Sequence, residues 1–179
     1  MTTFIETERL ILRELITDDE NNIFALDSDP EVHTYLGKNP ITTMEQSRNV
    51  IQSILQQYID NKIGRWAVIE KSSGDFIGWS GIKLVKTIVN NQINYYDLGY
   101  RFIKRYWGKG YATETAKASL TYGFNVMELN EIYGMADCEN IASNNVLKKA
   151  GLRFINMFEY EGSPHTCYKI TRDEWMEMR

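Results

Sequence analysis

Hydrophobic and polar positions change their period repeatedly along the chain, and each change marks an element. Residues 10–15, Leu-Ile-Leu-Arg-Glu-Leu, read as a first strand. Asp18-Asp-Glu opens a short helix carrying Ile23, Phe24 and Leu26. Asp29-Pro30 reads as an N-cap and first-turn proline, ahead of a helical face with Val32, Tyr35 and Leu36. From Thr43 onward, Val50, Ile51, Ile54, Leu55, Tyr58 and Ile59 follow the spacing of a longer amphipathic helix, and Thr43 with Gln46 forms a capping box. The pattern then turns to strands at 65–70 and 76–84, a hairpin around 71–75. A polar connection at 86–94, with Asn90-Asn91 as turn material, leads into the strand Tyr95–Phe102. Helical spacing returns over 112–127, where Ala116, Leu120, Phe124 and Met127 make one stripe. A strand at 131–136 and a helix at 143–150, ended by Gly151, come next. Residues 152–160 and 165–170 read as a hairpin, and Thr171 caps a last helical turn.

This order predicts an α+β fold built on a mixed sheet. The strand–helix–strand unit from Tyr95 to Ala136 must be a parallel crossover of the usual right hand. No repeat, low-complexity tract or linker interrupts the chain, so residues 1–179 are expected to form one domain.

Composition narrows the function more than the fold. Hydrophobic residues make up 43%, charged residues 25%, and the net charge is −4. Such a chain has no general affinity for nucleic acid. No apolar run approaches the roughly 18 residues that span a bilayer, and the N-terminus lacks the pattern of a signal peptide. A soluble cytoplasmic protein is expected, as a monomer or homodimer. Cys138 and Cys167 are far apart and lie in no metal-binding spacing, so free thiols and no metal are expected.

The candidate chemistry sits where the strand ending at Phe102 meets the following helix, through Arg105-Tyr-Trp-Gly108-Lys-Gly110. A strand that stops at a short glycine loop and restarts as a helix aims free backbone N–H groups at one point, and the helix dipole adds positive charge there. Glycines let an anion approach the main chain. Arg101, Lys104, Arg105 and Lys109 concentrate positive charge nearby. The segment has neither the ATP-type phosphate-loop pattern nor the three-glycine dinucleotide fingerprint.

The form Arg-x-x-Gly-x-Gly resembles the pyrophosphate loop of the GNAT N-acetyltransferase superfamily. Glu8-Arg9-Leu10-Ile-Leu-Arg13, the segment from Leu98-Gly-Tyr to Tyr106-Trp-Gly-Lys-Gly-Tyr-Ala-Thr-Glu114, and Asn140-Ile-Ala-Ser-Asn-Asn-Val-Leu-Lys-Lys-Ala-Gly-Leu152 are similar to its RimJ/RimL branch. The resemblance implies a mostly antiparallel sheet, flanked by helices on both faces, in which the parallel strands at 95–102 and 131–136 splay apart. Acetyl-CoA would lie in the wedge as co-substrate. Its pantetheine would run along Phe102 and Ile103. Its pyrophosphate would sit on Arg105 and on Gly108, Lys109, Gly110, Tyr111 and Ala112, with Thr113 adding a hydroxyl. Asn140 would reach the pantetheine or acetyl region, and Asn145 and Lys148 the adenosine end. From the residues alone, Asn140 and Ser143 also read as N-caps, Lys148 as part of a solvated helix face, and Arg101 as the partner of a sheet neighbour.

The same resemblance implies amide formation by direct transfer in a ternary complex. The position that holds a tyrosine acid in many members is Leu147 here, which cannot donate a proton. In the branch a serine takes that role, and Ser143 occupies its place. Glu159, followed by Tyr160, matches the branch's base, with His33 and His165 as alternatives. Tyr35, Trp66, Trp79 and Tyr160 are candidates to line the acceptor pocket, and Glu159, Glu161 or Asp97 would make it acidic. The acceptor implied first is a protein N-terminal α-amino group. A small amine such as a polyamine, an amino acid or an aminoglycoside is the alternative, and a CoA-binding sensor without turnover is another.

Overall fold

The computed structural model describes residues 3–178. Eight strands form one sheet in the order β1-β2-β3-β4-β5-β6-β8-β7. They are β1 (Thr3–Glu6), β2 (Leu10–Glu14), β3 (Trp66–Glu70), β4 (Phe76–Val85), β5 (Tyr95–Phe102), β6 (Glu131–Asp137), β7 (Arg153–Tyr160) and β8 (Ser163–Thr171). The helices are α1 (Glu20–Asp27), α2 (Met44–Asn61), α3 (Tyr111–Asn125), α4 (Ile141–Ala150) and α5 (Arg172–Glu177). Every neighbouring pair of strands is antiparallel except β5 and β6.

Alternation along the strands sends apolar side chains to both faces, and helices cover each. On one face α3, α4 and α5 bring Leu120, Phe124, Leu147 and Trp175 onto Leu12, Ile82, Leu98, Ile132 and Tyr168. On the other face α1 and α2 bring Ile23, Leu26, Ile51 and Ile54 onto Leu15, Ala67 and Phe76. The Thr43–Gln46 capping box starts α2, and Thr171 with Glu174 starts α5 in the same way. The turn residues also behave as their chemistry requires. Asn90 and Asn91 take left-handed φ between the bridge residues Val89 and Gln92, and Glu161-Gly162 does the same between β7 and β8.

The structure differs from expectation at three places. A short strand, β1, precedes the expected first strand and pairs with it. Residues 30–38 form successive turns instead of a helix. The Thr34 hydroxyl takes the Glu31 carbonyl, the N–H groups of Leu36 and Lys38 both go to the His33 carbonyl, and left-handed Gly37 and Lys38 end the segment. Helix α4 begins at Ile141 instead of Ser143, because the Asn140 side chain accepts from the Ser143 N–H at 3.0 Å and is itself the N-cap.

Candidate active site

The loop after β5 is held by side chains but leaves its backbone donors open. One helical turn, Lys104–Tyr106, is followed by Gly108 at φ +73 and Gly110 at φ +83, and α3 starts with Gly110 as N-cap and no side-chain cap. The first-turn N–H groups at Tyr111, Ala112 and Thr113 therefore lack the intrahelical partner that the Glu114 N–H finds in the Gly110 carbonyl. A Cβ at Gly108 would meet no atom within 4 Å, and one at Gly110 only the Arg9 guanidinium at 3.5 Å. The concavity is real space beside free donors.

Arg9 fixes the loop's far side. Its Nη1 donates to the Lys109 carbonyl at 3.0 Å, its Nε donates to Glu114 at 2.7 Å, and its guanidinium lies 4.4 Å over the Tyr111 ring. The Thr7 hydroxyl donates to the same Glu114 carboxylate at 2.6 Å. Of the four cations expected to serve the loop, two are engaged elsewhere. Arg101 pairs with Asp27 and Lys104 with Glu31, each at 2.6 Å. Arg105 and Lys109 remain, each 5.0 Å from the centre of the Tyr106 ring, which Asp75 anchors through the Tyr106 hydroxyl.

Beside the loop the sheet opens. β5 runs eight residues against β4, and β6 runs seven against β8, yet β5 and β6 share only the register pair Asp97↔Tyr133. Past that point the two strands diverge. The Ile103 N–H is spent on the Ile77 carbonyl at 3.0 Å. Alternation of main-chain groups along a strand then turns the Phe102 N–H toward the gap. The Phe102 carbonyl accepts from the indole N–H of half-exposed Trp107 at 2.7 Å.

The first turn of α4 stands over this gap. The Tyr100 hydroxyl, on β5, donates to the Ser143 carbonyl at 3.0 Å and lies 3.1 Å from Ser143 Oγ. Burial pushes the Tyr100 phenol above its ordinary value. Asn144 ties the helix down: its amide donates to the carbonyls of Asp137 and Asn140, and its oxygen accepts from Thr166 and Tyr168. Leu147 is buried in the core below. Asn145 and Lys148 are exposed one turn apart on α4.

The opposite face of β5 carries side-chain charge already matched. Arg65 and Asp97 pair at 2.6 Å with both side chains 8% exposed, and Arg65 also donates to the Asp97 and Gly81 carbonyls. The guanidinium groups of Arg65 and Arg101 lie 5.4 and 5.1 Å from the Trp79 ring. Asp97 is thus not free to make the pocket acidic. Trp66 is a core residue packed edge-on against Tyr122, at 5.1 Å between ring centres, and lines no pocket. Burial, with the Arg101 charge, pushes the buried His33 imidazole below its usual value. His165 packs 5.3 Å from the Tyr160 ring, with Nδ1 3.1 Å from the Ser163 carbonyl. Glu159 is exposed on the edge strand β7, opposite Pro164. Both cysteines are free, and burial pushes both thiols up, so neither is an activated nucleophile.

A family model for the acetyltransferase (GNAT) domain matches residues 9–153. The chain belongs to the GNAT acetyltransferase family. The uncharacterized N-acetyltransferase YoaA of Bacillus subtilis is 29% identical over 178 residues, covering 96% of this chain and 98% of that protein. FsC-acetyl coenzyme A-N(2)-transacetylase of Aspergillus fumigatus is 28% identical over 98% of this chain and 79% of its own. The crystal structure of a GNAT-family acetyltransferase from Bacillus anthracis superposes with a TM-score of 0.79 at 27% identity, covering 95% of this chain and 99% of that one.

GNAT acetyltransferases use acetyl-CoA, and the chain fits that group. The uncapped α3 N-terminus, the empty space at Gly108 and the parted β5 and β6 form one continuous concavity. Among the described residues no cluster of side chains could hold a metal, and no helix is long and apolar enough to cross a membrane. The sequence reading missed three contributors to this GNAT site: the Arg9–Glu114 clamp, Tyr100 and Asn144. Arg9, Tyr100, Glu114 and Asn144 all lie inside the quoted motifs. Their partners are 22 to 107 residues away in the chain, and no spacing rule reveals such pairs.

Proposed function

We propose that this GNAT enzyme, as one domain over residues 1–179, transfers an acetyl group from acetyl-CoA to a primary amine by direct attack in a ternary complex. The observation that carries the reading is the α3 N-terminus with left-handed Gly108 and Gly110, open and continuous with the β5–β6 gap. Arg105, Lys109 and the N–H groups from Gly108 to Thr113 would hold the pyrophosphate. The edge at Phe102 and Ile103 would carry the pantetheine, with Trp107 yielding the Phe102 carbonyl. Asn140 would face the pantetheine from α4 while capping it, and Asn145 and Lys148 would flank the adenosine.

When bound, acetyl-CoA supplies an activated acyl thioester. The Phe102 N–H donates to the acyl oxygen as negative charge gathers there. The Ser143 hydroxyl donates to the departing sulfur. Glu159 accepts the proton that leaves the amine nitrogen, relayed by water because its carboxylate is exposed on β7. Glu159→Gln should lower kcat at least about tenfold with CoA affinity retained. A rate unchanged across pH would remove Glu159 from the mechanism.

The acceptor in this proposal is the α-amino group of a protein N-terminus, in a cytoplasmic protein that is a monomer or homodimer. A small amine is the second reading, favoured by the similarity to the FsC transacetylase. The pairing of Asp97 with Arg65 removes one of the carboxylates that would draw a polycation. Release of CoA thiol with N-terminal peptides, polyamines, amino acids and aminoglycosides, read in parallel, tests the choice. Turnover only with small amines would overturn the N-terminal reading, and tight CoA binding without thiol release from any amine would leave a sensor.

A further inference from the structure

The hydroxyls around the first turn of α4 divide into two sets. Thr166 and Tyr168 point under the helix, and both donate to the Asn144 side chain at 2.5 and 2.7 Å. Their protons are committed to holding α4 against β8. Ser143 and Tyr100 form the other pair. Tyr100 belongs to β5, on the strand face that packs with Leu98 and Phe102 against the α3 and α4 side. Its hydroxyl reaches across from β5 to α4 where the strands have already parted from their single register pair at Asp97↔Tyr133.

This pair settles how the serine can be used. The Ser143 N–H is taken by Asn140 Oδ1 at 3.0 Å, which fixes the backbone of the turn. The phenol, at 3.0 Å from the Ser143 carbonyl and 3.1 Å from Oγ, fixes the side chain. A phenol O–H aimed at Oγ fills one lone pair and leaves the serine's own proton to point elsewhere. The charged group closest in sequence is Asp97, on the other face of β5 and paired with Arg65, and the nearby Tyr168 phenol is engaged with Asn144. Nothing charged competes for Ser143. Burial keeps Tyr100 protonated, so its proton stays in place and serves only to orient.

We infer that Tyr100 is a positioning residue that holds the Ser143 hydroxyl as a hydrogen-bond donor to the CoA sulfur. The inference rests on the assignment of Ser143 above. It goes further in naming the residue that makes a weak acid useful where Leu147 has replaced the phenol expected from α4.

The test needs no acceptor amine. The thiol of CoA bound to the protein is titrated by its ultraviolet thiolate absorbance, in wild type, Tyr100→Phe, Ser143→Ala and the double variant. Affinity for desulfo-CoA and the melting temperature are measured alongside. A donor held at the sulfur stabilises the thiolate, so Ser143→Ala should raise the bound thiol's pKa by about one unit, a tenfold effect. Tyr100→Phe should reproduce most of that rise with desulfo-CoA affinity unchanged, and should add nothing in the Ser143→Ala background. A rise with Ser143→Ala but none with Tyr100→Phe would overturn this inference alone. No rise with Ser143→Ala would overturn the serine assignment itself. A Tyr100→Phe variant that loses desulfo-CoA affinity and melting temperature with an unmoved thiol pKa would make Tyr100 a structural staple between β5 and α4.

Discussion

Two glycines only nine residues apart, Gly99 and Gly108, lack a side chain for opposite reasons. A Cβ at Gly99 would strike the Arg65 guanidinium, because the buried Arg65–Asp97 pair fills that space. A Cβ at Gly108 would meet nothing within 4 Å. The acceptor face of β5 is made of side chains that satisfy one another. The donor side is made of backbone whose donors have no partner inside the protein. A region that satisfies itself contributes to stability, and a region that leaves directed donors open is built for something that arrives later.

Substitutions that exchange these properties would break the contrast. The largest effect is expected from Asp97→Asn, which leaves the buried Arg65 charge uncompensated and should cost about 3–5 kcal/mol in chemical denaturation. CoA affinity of the folded fraction should be retained, and a specific loss of CoA binding would merge the two regions into one site. Gly108→Val should act the other way. A β-branched residue at φ +73 and the obstruction of the donors together should weaken CoA binding by about 2 kcal/mol, roughly thirtyfold, in calorimetry. Gly108→Asn, which tolerates left-handed φ, separates obstruction from strain. Undiminished affinity in both variants would overturn the anion seat.

A smaller effect is expected at the clamp. Arg9→Ala removes a partly exposed pair and the donor to the Lys109 carbonyl, and should weaken CoA by about 1 kcal/mol, near fivefold. The smallest signal is a pH dependence. Burial alone would push the Glu114 carboxyl up, but hydrogen bonds from Thr7 and Arg9, and the Arg9 charge, hold it below its ordinary value. A carboxyl depressed in the folded state stabilises the protein fully above its unfolded value and loses that contribution as pH falls through its folded value. Melting temperature at acid pH should therefore fall more steeply in wild type than in Glu114→Gln.

Much of this was legible in the chain because it depends on local rules. The strand Tyr95–Phe102 is where its alternation put it, and the capping boxes at Thr43 and Thr171 hold. The α+β architecture and the parallel β5–β6 pair followed from element order. The segment at 30–38 failed as a helix because its hydroxyl and left-handed residues compete with helical bonds. The positive charge around the loop was half misassigned, since opposite charges on α1 and in the following turn claim Arg101 and Lys104.

The sequence by itself determined the donor side: two glycines, a helix start and the flanking motifs specify a backbone conformation, and backbone conformation is set by neighbouring residues. Only the tertiary structure decided which charges remain available and which hydroxyl holds Ser143. Arg9 meets Glu114 across 105 residues, Arg65 meets Asp97 across 32, and Tyr100 meets Ser143 across 43. Such pairs are chosen by which strands lie side by side and where β5 and β6 part, and no local pattern of residues carries that information.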